Sequence, residues 1–477
     1  MSTAHPLQRV RPPEVLPAGR RRTPGGGTAT RSPSDVLIAA LIIAFGVALN
    51  HSSVILGFNL SLADPIAALL ALAFIAARRM WVPPAPLLFF LLLSVHQIGV
   101  ALLLAPRWTQ APLPYTAILD DYLKLGATFL CLLLGMQVIR AGHTRLLLRA
   151  YITGSVAVSS VAVASIALPA LTSLGDLFYG GFRFQGLTND PNYFAVMTVA
   201  ALAALWYDSE IRAPLRVAAS VFLIGGVLLS ASKTGAIALA LLVIWRVLGL
   251  HTAEDGAPRP RRFAIPGAVL GATSIALLLI PSSGIGGSLA EIVARTPALE
   301  RLAPLLTDFD AAIGAGGSER GDAWAVAVAI ILFSPLLGVG VGTYLTVAEK
   351  ISGNEVLAHN TYLQIAAEWG LVFAIVLFVL IARYTLLRPS SASHRAAWAI
   401  SSNALLVLLV GSLGLSLNNS RLLWVLFGVT IAAHLLSRPA SSLRDMARGN
   451  SSPNTGTVHD TRALRRQPLD EPPGGEA

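Results

Sequence analysis

Charge is what this 477-residue chain has least of: 13% of its residues are Asp, Glu, Lys or Arg, against roughly 25% in soluble domains. With 54% hydrophobic residues and a mean hydropathy of +0.67, no polar-surfaced domain can be cut from it. That excludes an ordinary cytosolic enzyme and leaves one polytopic membrane protein. Cysteine is nearly absent. The single Cys131, in an apolar run, excludes an intramolecular disulfide and a Cys-rich metal site. The net charge of +10 is not accompanied by a Lys/Arg run beside a folded, aromatic-bearing domain, so it does not indicate nucleic acid.

What is present in quantity is apolar sequence in long runs. A bilayer core about 30 Å thick needs about 20 apolar residues per helix. On that ruler spans are expected near 36–56, 60–77, 86–105, 119–139, 146–168, 190–207, 214–231, 234–250, 263–281, 361–382, 396–416 and 420–436. The fold class is therefore all-α integral membrane, with about 12 transmembrane helices and one long outward loop, 282–360, holding short or re-entrant helices. Ala323–Phe333 is such a candidate, because it is short and runs into Ser334-Pro335 and Gly338, Gly340 and Gly342. Residues 1–35 and 437–477 are rich in Pro, Gly, Arg and Ser and are expected to be disordered cytoplasmic tails. Between them lie an N-terminal set of helices, 36–180, and a second transmembrane region, 181–436. The N-terminus does not read as a signal peptide, since its first apolar stretch begins near Val36 and leads into further spans. No internal repeat is evident, which disfavours a duplicated transporter architecture.

Orientation follows from the basic residues, which stay cytoplasmic. With the N-terminus inside, five cytoplasmic loops hold fourteen of them, including Arg78-Arg79 and Arg259, Arg261 and Arg262. The inner side then carries 26 basic and 11 acidic residues and the outer side 9 basic and 14 acidic. The net +10 is thus a topological signal, and its inner share favours anionic lipid headgroups. A thirteenth crossing at 323–345 would expel Arg383, Arg388 and Arg395, so it is rejected.

In this topology every even-numbered span starts on the outer side, where its unpaired N–H groups and positive dipole end lie. Arg183-Phe184-Gln185-Gly186-Leu187-Thr188-Asn189-Asp190-Pro191-Asn192 precedes one such start. Ser232-Lys233-Thr234-Gly235, His359-Asn360-Thr361-Tyr362 and Asn418-Asn419-Ser420-Arg421 open three more. The long loop adds Ser318-Glu319-Arg320-Gly321-Asp322-Ala323-Trp324. Helix N-termini with Arg and Lys form an anion site suited to phosphate or pyrophosphate. Each segment also has a plainer reading: Asp190-Pro191 as an N-cap with first-turn proline, Lys233 as a snorkelling side chain, Arg421 as a boundary charge and His359 as a solvated cap residue. Asp120-Asp121, Glu319 and Asp322 lie on the outward side, yet no paired-carboxylate arrangement of the hydrolase type is evident. Asp322 and Glu319 either orient Arg320 or solvate the loop. Trp324 and Trp369 either stack on sugars or belong to the interfacial belt. The glycines at 338, 340 and 342 have phosphate-loop spacing but no strand–helix unit around them, so that spacing carries no assignment.

Taken in order, Arg183…Gly186…Asp190-Pro191-Asn192, Ser232-Lys233-Thr234-Gly235, Arg320…Trp324…Ser334-Pro335-Leu336-Leu337-Gly338-Val339-Gly340 and His359-Asn360-Thr361-Tyr362-Leu363-Gln364…Glu368-Trp369-Gly370-Leu371 resemble the O-antigen ligase and polymerase superfamily. The resemblance covers roughly residues 180–382. It implies a metal-independent enzyme without cofactors that transfers a glycan from a polyprenyl-pyrophosphate carrier to an acceptor hydroxyl. The acceptor would be a glycolipid, a protein or a growing polysaccharide. The location implied is the cytoplasmic (inner) membrane, with both termini cytoplasmic and the active site on the periplasmic or outer face.

By motif, Arg320 corresponds to one pyrophosphate-holding arginine of the ligases, and His359 to the histidine that activates the acceptor. The second arginine falls on Lys233, since this chain has Ser-Lys-Thr where the family usually shows Ser-Arg-Thr; lysine keeps the charge without the bidentate fork. Arg183 is a further pyrophosphate candidate, with Asn360, Asp322 and Trp324 in support. The rival expectation is a transporter or flippase for a lipid-linked glycan. It calls for ionisable residues at mid-membrane depth, whereas here charge gathers at span ends.

Overall fold

The computed structural model describes residues 32–52, 60–110, 114–248, 287, 290–291, 300–307 and 320–437. The expected span 263–281, Glu319 and nearly all of both tails lie outside the described residues. The architecture is helical: α1 Pro33–Ala48, α2 Ala63–Ala76, α3 Pro84–Gly99, α4 Ala105–Thr109, α5 Tyr115–Arg140, α6 Thr144–Ala167, α7 Pro191–Tyr207, α8 Ala213–Leu229 and α9 Lys233–Val247. After the partly described loop come α10 Arg320–Phe333, α11 Tyr344–Ser352, α12 Thr361–Leu386, α13 Ala392–Gly411 and α14 Arg421–Leu435. A two-residue hairpin, β1 Phe178–Tyr179 with β2 Arg183–Phe184, pairs antiparallel and places Tyr179 opposite Arg183.

Every expected span within the described residues overlaps a helix, but the lengths differ. Among the described residues, four segments can by length and composition cross a membrane: Pro84–Thr109, in which a π-helical turn at Val100–Leu104 joins α3 to α4, and α5, α6 and α12. Five other apolar helices have 14 to 17 residues, short of the expected 20. Hydropathy runs continue through the caps, whereas helices stop at them. The run 36–56 stops at Ala48. The run 396–416 stops at Gly411, where the Ser412 N–H bonds back to the Leu408 carbonyl at 2.8 Å.

The core is built around α7, almost wholly buried, which packs on α6, α8, α9 and α13. The tightest crossing joins α5 to α14. A Cβ on Gly135 would overlap the Val425 carbonyl, and one on Gly428 the Leu132 carbonyl. Only glycine lets two helix backbones approach so closely, the small-residue packing of membrane helices. At one end of the bundle Arg149 grips Asp208 at 2.8 Å and Glu210 at 3.0 Å, tying the start of α6 to the end of α7. The opposite end of α7 carries the hairpin and the loops described next.

The glycine-rich segment after α10 is a structural wedge. Helix α12 breaks at Gly370, whose φ of 77° and ψ of 160° are non-helical. In an unbroken helix the Leu371 N–H would bond to the Ala367 carbonyl. Instead it bonds to the Pro335 carbonyl at 2.8 Å, while Ala367 accepts from the Val339 N–H at 2.9 Å and Glu368 from the Gly340 N–H at 3.0 Å. Gly338, at φ 66°, lies so close that any Cβ would strike the Glu368 carbonyl. Broken backbone at membrane depth is tolerated where protein re-satisfies it, and here residues 335–340 do so. Gly338 and Gly340 belong to this wedge, while Gly342 packs on α5, where a Cβ would strike the Ala117 carbonyl.

Candidate active site

Four of the site residues expected from the sequence lie at, or just before, helix starts, and short loops hold those starts. Ser232 caps α9, its Oγ accepting from the Gly235 N–H at 3.0 Å and donating to Asn192 Oδ1 at 2.9 Å. The same Asn192 oxygen accepts from Arg183 Nη2 at 3.2 Å, and Arg183 Nε donates to the Ser230 carbonyl at 3.2 Å. The buried Arg183 guanidinium also lies over the Tyr179 ring, 5.8 Å from its centroid. Arg183 is thus stitched to the turn that presents the half-buried Lys233. Asp190 does act as the N-cap of α7, accepting from Asn192 at 2.6 Å and Tyr193 at 3.1 Å with Pro191 in the first turn.

Arg320, half-buried, is the first residue of α10. Its Nη1 lies 3.5 Å from where a Cβ on Gly414 would sit, and Thr234 Oγ1, next to Lys233, lies 3.0 Å from the same point. His359 is exposed and precedes Asn360, the cap of α12, whose Oδ1 accepts from Tyr362 at 3.0 Å and Leu363 at 3.1 Å. That cap is anchored on the loop after α13. Asn360 Nδ2 donates to the Leu413 carbonyl at 3.1 Å, the Thr361 N–H to Ser412 at 2.9 Å, and Thr361 Oγ1 to Leu415 at 2.7 Å. Residues 412–415 therefore gather the starts of α9, α10 and α12, and with them Lys233, Arg320 and His359. His359 at φ 46° and Ala231 at φ 49° are non-glycine residues in the left-handed region. Such backbone costs about 1–3 kcal/mol and clusters at functional sites; here the two flank the starts of α12 and α9.

The supporting residues divide. Asn360 is a buried cap that fixes the backbone beside His359. Asp322 is exposed in the first turn of α10, where a carboxylate offsets the helix dipole. Trp324 is half-buried, and its indole Nε1 has no partner. Arg421 does not join the set. It forms a two-pronged ion pair with Asp64, Nε to Oδ1 at 2.8 Å and Nη2 to Oδ2 at 2.7 Å, with both side chains at most 12% exposed. Trp369 is core, stacked on Trp424 at 6.4 Å.

Sequence reasoning missed a polar cavity of about 580 Å³ beside this cluster. Asp120, Asp121 and Lys124 of α5, Tyr344 of α11, and Gln364, Glu368 and Trp369 of α12 line it, with Asn189 and residues 416, 418 and 419 of the loop that follows α13. Burial, reinforced by the nearby Glu368 carboxyl, pushes the Tyr344 phenol above its ordinary range, so it stays a neutral hydroxyl. Leu125, Thr128 and Trp369 also border an apolar crevice of about 140 Å³ between α3, α5, α12 and α14. Beyond Asp120-Asp121, no sequence signal marked the cavity, because its polar residues are scattered among apolar ones on three helices and three loops.

Residues 218–379 match the O-antigen ligase family, a stretch that contains Lys233, Arg320 and His359 but not Arg183. No curated protein matches the chain. The family match, with the apolar helices, supports an O-antigen ligase-like membrane protein.

Proposed function

We propose that this O-antigen ligase-like chain is a membrane glycosyltransferase. It moves a glycan from a polyprenyl-pyrophosphate carrier to the hydroxyl of a glycolipid, protein or growing polysaccharide at the outer face of the cytoplasmic membrane. The observation that carries the proposal is the gathering of the starts of α9, α10 and α12 on residues 412–415. The helix starts that carry Lys233 and His359 then meet on one loop, although the two residues are separated by more than 120 residues of sequence. A polar cavity and an apolar crevice that share Leu125, Thr128 and Trp369 as a wall support an amphipathic, lipid-linked substrate.

A glycosyl pyrophosphate is already activated. As the bond from the anomeric carbon to the phosphate oxygen breaks, the electron pair leaves with the pyrophosphate, and Lys233 and Arg320 stabilise the departing charge. Arg183 holds the turn that carries Lys233 and adds its own charge. His359 takes the proton of the acceptor hydroxyl, a task suited to an imidazole with an ordinary pKa of about 6.5 and worth about 10²–10⁴-fold. Asn360 fixes its backbone, and Asp322 and Trp324 support the Arg320 segment. As in the ligases that the sequence resembles, neither nucleotide nor metal takes part.

The test supplies purified protein with lipid-linked glycan and acceptor. Glycan transfer with release of free polyprenyl pyrophosphate is expected from the wild type, and is expected to be lost in His359→Ala and Arg320→Ala. Full transfer by both variants would overturn the site assignment. Flipping of the lipid-linked glycan in liposomes without transfer would overturn the class.

A further inference from the structure

We propose that the polar cavity between α5, α11 and α12 is a glycan pocket that favours sugars bearing amino groups and rejects acidic ones. The inference rests on the transferase reading for its choice of ligand, but its geometry is independent of the cation cluster.

Two polar side chains on its wall have nothing to bond to. Tyr344 is 3% exposed and Gln364 6%, yet the Tyr344 hydroxyl and Gln364 Oε1 have no hydrogen-bond partner. Buried polar atoms are nearly always paired, and an exception calls for an explanation. The Gln364 amide is not free to turn, because its Nε2 donates to Glu368 Oε1 at 2.8 Å and commits the oxygen to a separate donor. A sugar hydroxyl both donates and accepts, so one polyol satisfies Gln364 and Tyr344 together. The cavity volume of about 580 Å³ lies within the roughly 300–1,000 Å³ of small-molecule sites.

Charge decides which sugars enter. Three carboxylates line the space, from Asp120, Asp121 and Glu355, against one ammonium, Lys124. That ammonium is engaged with Asp121 at 2.6 Å. A uronic acid or phosphate-bearing sugar would meet like charge, and an amino sugar opposite charge, so the pocket discriminates by repulsion as well as attraction. The adjoining cation cluster has the reverse character. A substrate with an anionic pyrophosphate and a neutral or cationic glycan matches this division.

The full-length protein in nanodiscs would be titrated with a glucosamine disaccharide and a glucuronic acid disaccharide of the same linkage, by saturation-transfer NMR and calorimetry. The amino disaccharide is expected to bind at least about tenfold more tightly. Tyr344→Phe and Gln364→Leu should each weaken it at least about threefold. Because Tyr344→Phe removes an unpaired buried hydroxyl, its Tm should not fall, which separates lost binding from misfolding. Equal affinity for the two disaccharides, no binding of either, or wild-type affinity in both variants would overturn the pocket. These titrations need no donor lipid. Protein that binds the amino disaccharide but releases no polyprenyl pyrophosphate would refute the transferase reading and leave the pocket standing.

Discussion

Gly414 offers a way to disturb the cation cluster without touching a charged residue. Its φ is not in the left-handed region, so alanine adopts the same backbone there and its effect is steric alone. The new methyl would sit 3.0 Å from Thr234 Oγ1, 3.4 Å from Thr234 Cγ2 and 3.5 Å from Arg320 Nη1. Ordinary carbon contacts begin near 3.5–4.0 Å, so Thr234, next to Lys233, must move by a few tenths of an ångström while Arg320 stays in ordinary contact. Overpacking of this kind costs about 1–3 kcal/mol of stability. A misplacement of about 1 Å costs on the order of 10²-fold in rate, so a fraction of that should cost about three- to tenfold. The assay is the initial rate of glycan transfer at saturating donor, run beside thermal melting. Gly126→Ala is the control: nothing lies within 4 Å of its Cβ position inside α5, so activity should hold and stability rise by up to about 1 kcal/mol. If Gly414→Ala transfers glycan at the wild-type rate while its melting temperature falls, the gathering of α9 and α10 on this loop has no bearing on catalysis.

Further outcomes can be checked on the same material. Asp64→Ala leaves Arg421 buried without its partner and should cost about 3–5 kcal/mol, read as lower Tm, whereas replacing both by a matched apolar pair should recover most of it. Lys233→Arg should keep transfer within a few-fold of wild type, while Lys233→Ala should lose about 10²–10³-fold; equal losses would show that charge at 233 is not what matters. Gly370→Ala forces a side chain into the left-handed region and onto the Leu336 carbonyl, so monodisperse protein should largely disappear from detergent extracts. Lys350→Cys should react with an impermeant thiol reagent added outside, because position 350 is exposed and the native Cys131 is buried; protection would overturn the expected orientation.

The helical architecture was legible because apolar runs of helix length announce themselves. The helix ends were not, and function lies at the ends. Residues 412–416 read as the tail of an apolar span, yet 412–415 leave the helix to hold Asn360 and Thr361. Arg421 looked like one more cation at an outward helix start until Asp64, 357 residues away, was seen to neutralise it. Lys233, Arg320 and His359 could be picked out by motif order, but no local pattern says that Gly414 lies against Thr234 and Arg320. Tyr344 carried no signal, and Gln364 and Glu368 stood in a motif without any sign that they line a cavity, since a polar residue inside an apolar helix looks the same whether it faces a cavity or a neighbouring helix.

The break at Gly370 bears on how the chain is assembled in a bilayer. Leu371, Ala367 and Glu368 find their backbone partners on residues 335–340, more than 25 positions earlier. While α12 is leaving the insertion machinery it can either run through as an unbroken helix or wait with amide groups unmatched in lipid, where each costs several kcal/mol. The wedge must therefore fold back before α12 can take its final shape. Only then can its Asn360 and Thr361 meet the loop made last, after α13. Biogenesis of the site is in this sense ordered, with residues 335–340 acting as a template for a helix that the ribosome makes after them.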